Sequence, residues 1–167
     1  MTEEVQLYAL DQLMSQARRL AAEYRRTVGR PLPVSGELAC YDAARLLDLE
    51  LTPAAAGWDA VGRGSREGLR YQIKARAIFD ESRGDERVGQ LRLDQPWDGV
   101  LLVLLDADFE PFEIWEADRE ALAEALEGGG ESRRKQRGAM SVARFRIIGH
   151  PVWSREEGVI EDEIWEN

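Results

Sequence analysis

The sequence predicts an α/β fold in which helices flank a small mixed β-sheet. Three features point to it. Two amphipathic helical stretches fill the first fifty residues. Residues 57–76, GWDAVGRGSREGLRYQIKAR, read as two strands joined by a tight connection. The apolar run at residues 100–105, VLLVLL, suits a central strand covered on both faces. Helices before the strands and again after residue 118 give a sheet with helices packed against it.

Residues 4–28 place Val5, Tyr8, Leu13, Ala17, Leu20, Ala21 and Tyr24 near helical spacing, with Arg18, Arg19, Arg25 and Arg26 between them. That is an amphipathic helix, stopped by Gly29 with Pro31 and Pro33 beyond it. Ser35 is the expected N-cap of a second helix. That helix runs to about Leu49 and turns Leu38, Tyr41, Ala44 and Leu46 inward, with Cys40 and Leu47 flanking. In the second strand of the following pair, side chains alternate between faces. Arg70, Gln72, Lys74 and Arg76 share one face, and Leu69, Tyr71, Ile73 and Ala75 share the other.

FDESRGDERVGQ, residues 79–90, is polar and reads as a mobile loop. After the apolar strand, residues 106–111 turn the chain and PFEIWEA forms another strand. Residues 119–127 form a helix, and GGGESRRKQRG forms a basic, glycine-rich loop. Ser141 is expected to cap a short helix that ends at Arg146 or Ile147. The acidic C-terminal tail is either without fixed structure or docked through Val159, Ile160, Ile164 and Trp165. Without repeat or linker, the chain reads as one domain over 1–153 and an acidic tail over 154–167.

The length of 167 residues is enough for one real core. No apolar run approaches the roughly 20 residues that span a bilayer, so no membrane partner is expected. MTEEVQ has no basic-then-apolar signal pattern, and a cytoplasmic location is the expectation. The single Cys40 excludes an internal disulfide and a cysteine-based zinc cage. The single His150, in a Gly-His-Pro turn, gives little support to a histidine metal site or a Ser-His-Asp triad. Gly62-x-Gly64 lacks the third glycine and the helix of a nucleotide-binding loop.

The net charge of −10 argues, taken globally, against a nucleic-acid partner. Its distribution is uneven. Residues 63–92 carry a net of +3 and residues 131–146 a net of +5, whereas residues 156–167 hold six acids and no base. Lys74 and Lys135 are the only lysines among 22 basic residues. Arginine suits bidentate phosphate contact, and a GC-rich genome gives the same bias.

Metal-dependent phosphodiester cleavage needs a hard cation held by oxygen ligands and a cation that orients water and stabilises developing charge. Asp59 can supply a carboxylate, Gln72 a side-chain carbonyl and Ile73 a backbone carbonyl. Lys74 lies on the Gln72 face, two residues on. The plainer readings are a turn aspartate for Asp59, a solvated edge-strand lysine for Lys74 and a helix-dipole role for Glu37. An apolar opposite face and a following apolar strand favour an internal strand, where a lone lysine is unusual. Arg63, Arg70 and Arg76 are candidate nucleic-acid contacts, and Arg70 and Arg76 could equally pair with neighbouring acids.

Asp59, followed by Gln72-Ile73-Lys74 on the next strand, resembles the catalytic motif of the PD-(D/E)XK nuclease superfamily. It is most similar to the D…QxK variant of Mrr-type restriction endonucleases. The resemblance covers residues 34–116. It implies a restriction-endonuclease-like core, Mg²⁺ or Mn²⁺ as cofactor, DNA as partner and Asp59, Gln72 and Lys74 as the active triad. It also implies a site role for Glu37 on the preceding helix. Two positions depart from the pattern: Gln72 is a neutral amide where an acid is usual, and Trp58 stands where a proline often precedes the aspartate. A second implied function is a catalytically silent interaction or regulatory module of the same fold, with a protein partner or a second copy. With that second reading goes the expectation that the acidic tail from Glu156 covers the basic face and mimics DNA.

Overall fold

The computed structural model describes residues 3–53, 56–80, 86–127 and 140–161. The glycine-rich basic loop with Lys135, the centre of the polar loop at 81–85 and the tail residues 162–167, including Ile164 and Trp165, lie outside them. The architecture is mixed α/β, a mixed sheet flanked by helices.

Helix α1 spans Glu3–Val28. It ends where Gly29 takes a left-handed φ of +84° and returns its N–H to the Arg25 carbonyl at 2.8 Å. Helix α2 spans Ser35–Leu47. Ser35 is its first helical residue and not the expected cap; Val34 holds that place, without a side-chain hydrogen bond. The helix also stops short of Leu49. Asp48 adopts φ +54°, a conformation aspartate tolerates better than most residues, and the chain leaves as strand β1, Leu49–Leu51.

Strand β2, Ala60–Gly62, passes through a 3₁₀ turn at Gly64–Arg66 into β3, Arg70–Ala77. Then follow β4 (Arg87–Val88), β5 (Gly99–Leu105) and β6 (Pro111–Asp118). Helix α3 spans Arg119–Glu127. After β7 (Met140–Ser141), helix α4 covers Val142–Ile148. Ser141 caps α4 as expected, accepting a hydrogen bond from the Arg144 N–H at 3.1 Å. Strands β8 (His150–Ser154) and β9 (Gly158–Val159) close the described chain.

Among the described residues, seven strands form one sheet in the order β1-β2-β3-β5-β6-β8-β9, while β4 pairs with β7. Strand β3 runs parallel to β5, with Lys74 opposite Leu102; the other neighbours are antiparallel. The β5 run is buried along its whole length because both faces are covered. Leu101, Val103 and Leu105 pack with Tyr71, Ile73, Leu38 and Ala43 beneath α1 and α2. Val100, Leu102 and Leu104 pack with Val88, Leu91, Trp97 and Phe145 on the opposite face. Each such leucine or valine contributes about 1.5–3 kcal/mol by leaving water.

Two expectations need correction. The polar stretch after β3 is not wholly a loop: Val88 is buried in β4, and Leu91 behind it is buried too. The sheet also continues past Ser154. Trp153 pairs with Val159, and the Ile160 N–H donates to the Val152 carbonyl at 2.8 Å, so residues through 160 belong to the fold. His150 opens β8 rather than lying in a turn, with Nε2 3.6 Å from the Glu116 carboxylate.

Helices α1 and α2 are tied by a buried ion pair. Arg18 donates through Nη2 to Asp42 Oδ1 at 2.7 Å and through Nη1 to Oδ2 at 3.0 Å, and also to the Phe109 carbonyl.

Candidate functional site

Asp59 immediately precedes β2, and backbone bonds fix it on both sides. Its N–H donates to the Tyr71 carbonyl at 2.8 Å, and its carbonyl accepts the Thr52 N–H at 2.9 Å. The Thr52 hydroxyl holds the adjacent Trp58 carbonyl at 2.8 Å. The β2–β3 ladder includes the Ala60–Tyr71 pair. Two residues further along β3, the Ile73 N–H donates to Asp59 Oδ2 at 2.8 Å. The carboxylate thus takes the place a strand carbonyl would fill, in the middle of the Gln72-Ile73-Lys74 motif. The N–H and C=O of one strand residue point to the same side, so the Ile73 carbonyl faces Asp59 as well.

The alternation expected of β3 is realised within the strand. Tyr71 and Ile73 are buried beneath the helices. Gln72 and Lys74 lie opposite Val100 and Leu102 on the other face. Leu69, just before the strand, is exposed instead. Gln72 Oε1 is buried without a hydrogen-bond partner. Lys74 is half-buried, and a Cβ on Gly89 would stand 3.8 Å from its Nζ. Burial pulls the Lys74 pKa below the usual lysine value; Asp59 opposes that shift and Arg92 adds to it.

Glu37 is exposed in the first turn of α2. Its charge acts on Cys40, one helical turn on. Burial first, then Asp59 and Glu37, push the Cys40 thiol up to about 12. Asp59 is therefore felt by Lys74 on the strand and by Cys40 on the helix. Of the expected residues, Asp59, Gln72, Ile73 and Lys74 come together, and Glu37 stands at the periphery.

The three arginines are placed differently. Arg63 is exposed and pairs with Glu50 at 3.4 Å and Asp48 at 3.8 Å. Arg70 grips Asp98 through its backbone N–H at 2.8 Å and its Nε at 3.2 Å, and its guanidinium stacks over Trp58 at 5.3 Å. Arg76 shares the Gln72 and Lys74 face and is half-buried, with its Nε lacking an acceptor.

Asp59, Gln72 and the Ile73 carbonyl are oxygen donors of the type a hard divalent cation takes. A buried, orphaned amide oxygen costs about 1–3 kcal/mol, and a cation beside Gln72 Oε1 would satisfy it. Among the described residues, no group of three or more His, Cys, Asp or Glu side chains gathers in a metal-binding arrangement. The donors are one carboxylate, one amide and one peptide carbonyl, the sparse kind of set that Mg²⁺ completes with water and phosphate.

Cys40, Gly89 and Arg92 went unrecognised in the sequence. Cys40 had a signal, because it follows Glu37 by three residues and so shares its helix face. Gly89 had none, since its stretch reads as polar loop; Arg92 had only its membership of the basic stretch 63–92. No protein-family model matches the chain, and no curated protein matches it.

Proposed function

We propose that this chain is a metal-dependent nuclease of the PD-(D/E)XK superfamily, with a restriction-endonuclease-like core, that hydrolyses DNA phosphodiester bonds. The observation that carries the reading is the hydrogen bond from the Ile73 N–H to Asp59 Oδ2. It holds the carboxylate against a strand whose neighbouring residues present an unsatisfied amide oxygen and a half-buried lysine. The order of elements also agrees: a helix bearing Glu37, then the β2–β3 hairpin, then a buried parallel neighbour.

Asp59, Gln72 and the Ile73 carbonyl are the residues that would hold Mg²⁺ or Mn²⁺, which supplies Lewis-acid polarisation and charge neutralisation at the phosphate. Lys74 Nζ orients the attacking water and stabilises negative charge as it develops on the phosphate oxygens. Its lowered pKa lets it exchange a proton closer to neutrality than an ordinary lysine. Glu37 adds negative charge at the edge of the site.

The test is cleavage of plasmid, single-stranded and branched DNA in Mg²⁺ or Mn²⁺, with Asp59→Ala and Lys74→Ala in parallel. Loss of cleavage in both variants supports the nuclease and its site together. Cleavage that survives in both removes the site assignment.

A catalytically silent interaction module is the second reading, favoured by the amide at Gln72 and the net charge of −10. Its signature is absence of cleavage together with absence of Mn²⁺ binding by calorimetry. Gln72→Glu discriminates further, because a restored carboxylate is expected to tighten Mn²⁺ binding in a site built for a cation.

A further inference from the structure

Residues 87–97 form a built strap beside Lys74. Val88 and Leu91 anchor it in the core on this face of the sheet. The buried Trp97 indole donates to the Arg92 carbonyl at 2.8 Å. The Arg119 guanidinium stacks on Trp97 at 4.8 Å and gathers the carbonyls of Leu93, Gln95 (2.6 Å) and Trp97 (2.9 Å). At one end, Gly89 lies against the Lys74 side chain. At the other, Gln95 packs so closely on Gly57 that a Cβ there would come within 2.5 Å of its Oε1. Gly57 also holds φ +89°, so a side chain is excluded by both space and conformation two residues before Asp59. The strap thus reaches the Lys74 side chain and the turn that leads to Asp59.

The strap carries two arginines, Arg87 and Arg92, and the charge of Arg92 acts on the Lys74 ammonium. The state of Arg92 differs from that of Arg70, whose backbone N–H and guanidinium both bind Asp98. Arg92 has Asp94 at 3.7 Å, with side chains 59 % and 67 % exposed. So open a pair holds a guanidinium weakly and leaves it able to turn to an incoming anion. A pinned backbone beneath a guanidinium held only by an exposed pair suits bidentate contact with a phosphate.

We infer that Arg92 is a substrate-contacting residue that holds a nucleic-acid phosphate beside Lys74, positioned by the strap of residues 87–97. This rests on the nuclease reading for the identity of the anion, and it adds a contact that the Asp59…Gln72-Ile73-Lys74 motif does not contain.

The test measures affinity for a fluorescent DNA duplex across a salt series, without divalent cation, for wild type, Arg92→Gln, Arg92→Lys and Arg26→Gln. Arg26 is an exposed arginine of α1, paired with Asp108. Arg92→Gln is expected to weaken binding about tenfold and to lower the slope of log K against log salt by about one. Arg92→Lys restores part of the affinity, and Arg26→Gln changes neither quantity. Steady-state cleavage should show KM raised more than kcat falls in Arg92→Gln. Unchanged affinity and slope in Arg92→Gln overturn the inference, even where the wild type cleaves and the nuclease reading stands. Arg92-dependent binding without any cleavage keeps the contact and removes the nuclease. Absence of DNA binding by the wild type overturns the contact.

Discussion

Cys40 offers a way to interrogate the site without catalysis. The thiolate is the species that alkylating agents attack. With the folded thiol at about 12, its thiolate fraction at pH 8 is about 10⁻⁴, against about a quarter for an ordinary thiol near 8.5. Iodoacetamide should therefore modify the folded protein roughly three orders of magnitude more slowly than the urea-unfolded chain. With one cysteine in the chain, mass spectrometry reads the rate without ambiguity. Burial is the largest cause and stays in place, so Asp59→Asn should speed the reaction several-fold and Glu37→Gln less. A cation at Asp59 acts in the same direction. Millimolar Mg²⁺ should accelerate alkylation of the wild type and leave Asp59→Asn unchanged. Linkage adds a stability signature. The unfolded thiol releases its proton first, so stability is fully present below about pH 8.5 and is lost as pH rises toward about 12. A native rate within tenfold of the unfolded one would refute the shielding argument. Acceleration by Mg²⁺ that persists in Asp59→Asn would place the cation elsewhere.

Two further outcomes are expected. Asp42→Ala removes the bidentate partner of the Arg18 guanidinium, leaving it the Phe109 carbonyl and Glu110 at 3.6 Å, and should cost about 3 kcal/mol in urea unfolding, while the double change Arg18→Met/Asp42→Leu should cost clearly less; equal losses would show that packing, not charge, decides. Deleting residues 156–167 removes β9 and its bonds to β8 and should lower the Tm, by about 2–4 °C for each kcal/mol lost. Deleting residues 162–167 alone leaves that hairpin whole. It should strengthen DNA binding through the loss of three acids, and unchanged affinity would end the DNA-mimic role of the tail.

The sequence by itself determined much of the frame. Helical spacing set α1 and α3, an unbroken apolar run marked β5 as covered on both faces, and alternation divided β3 into a core face and a polar face. These are local patterns, in which residues two to four apart report their own environment. The pairing of Asp59 with Gln72-Ile73-Lys74 was also legible, because a hairpin joins the strands that bear them.

Only the tertiary structure decided the rest. Whether Asp59 meets Ile73 depends on the register of β2 against β3. That Arg70 is committed to Asp98 depends on the turn before β5. The strap that brings Gly89 and Arg92 to Lys74 is held by Val88, Leu91 and Trp97 in a core completed by Phe145 from α4. Strand β9 hides in an acidic stretch because its place rests on backbone bonds to β8, not on an apolar pattern of its own. Contacts between residues far apart in the chain leave no period in the sequence, and the surroundings of the lysine are built from such contacts.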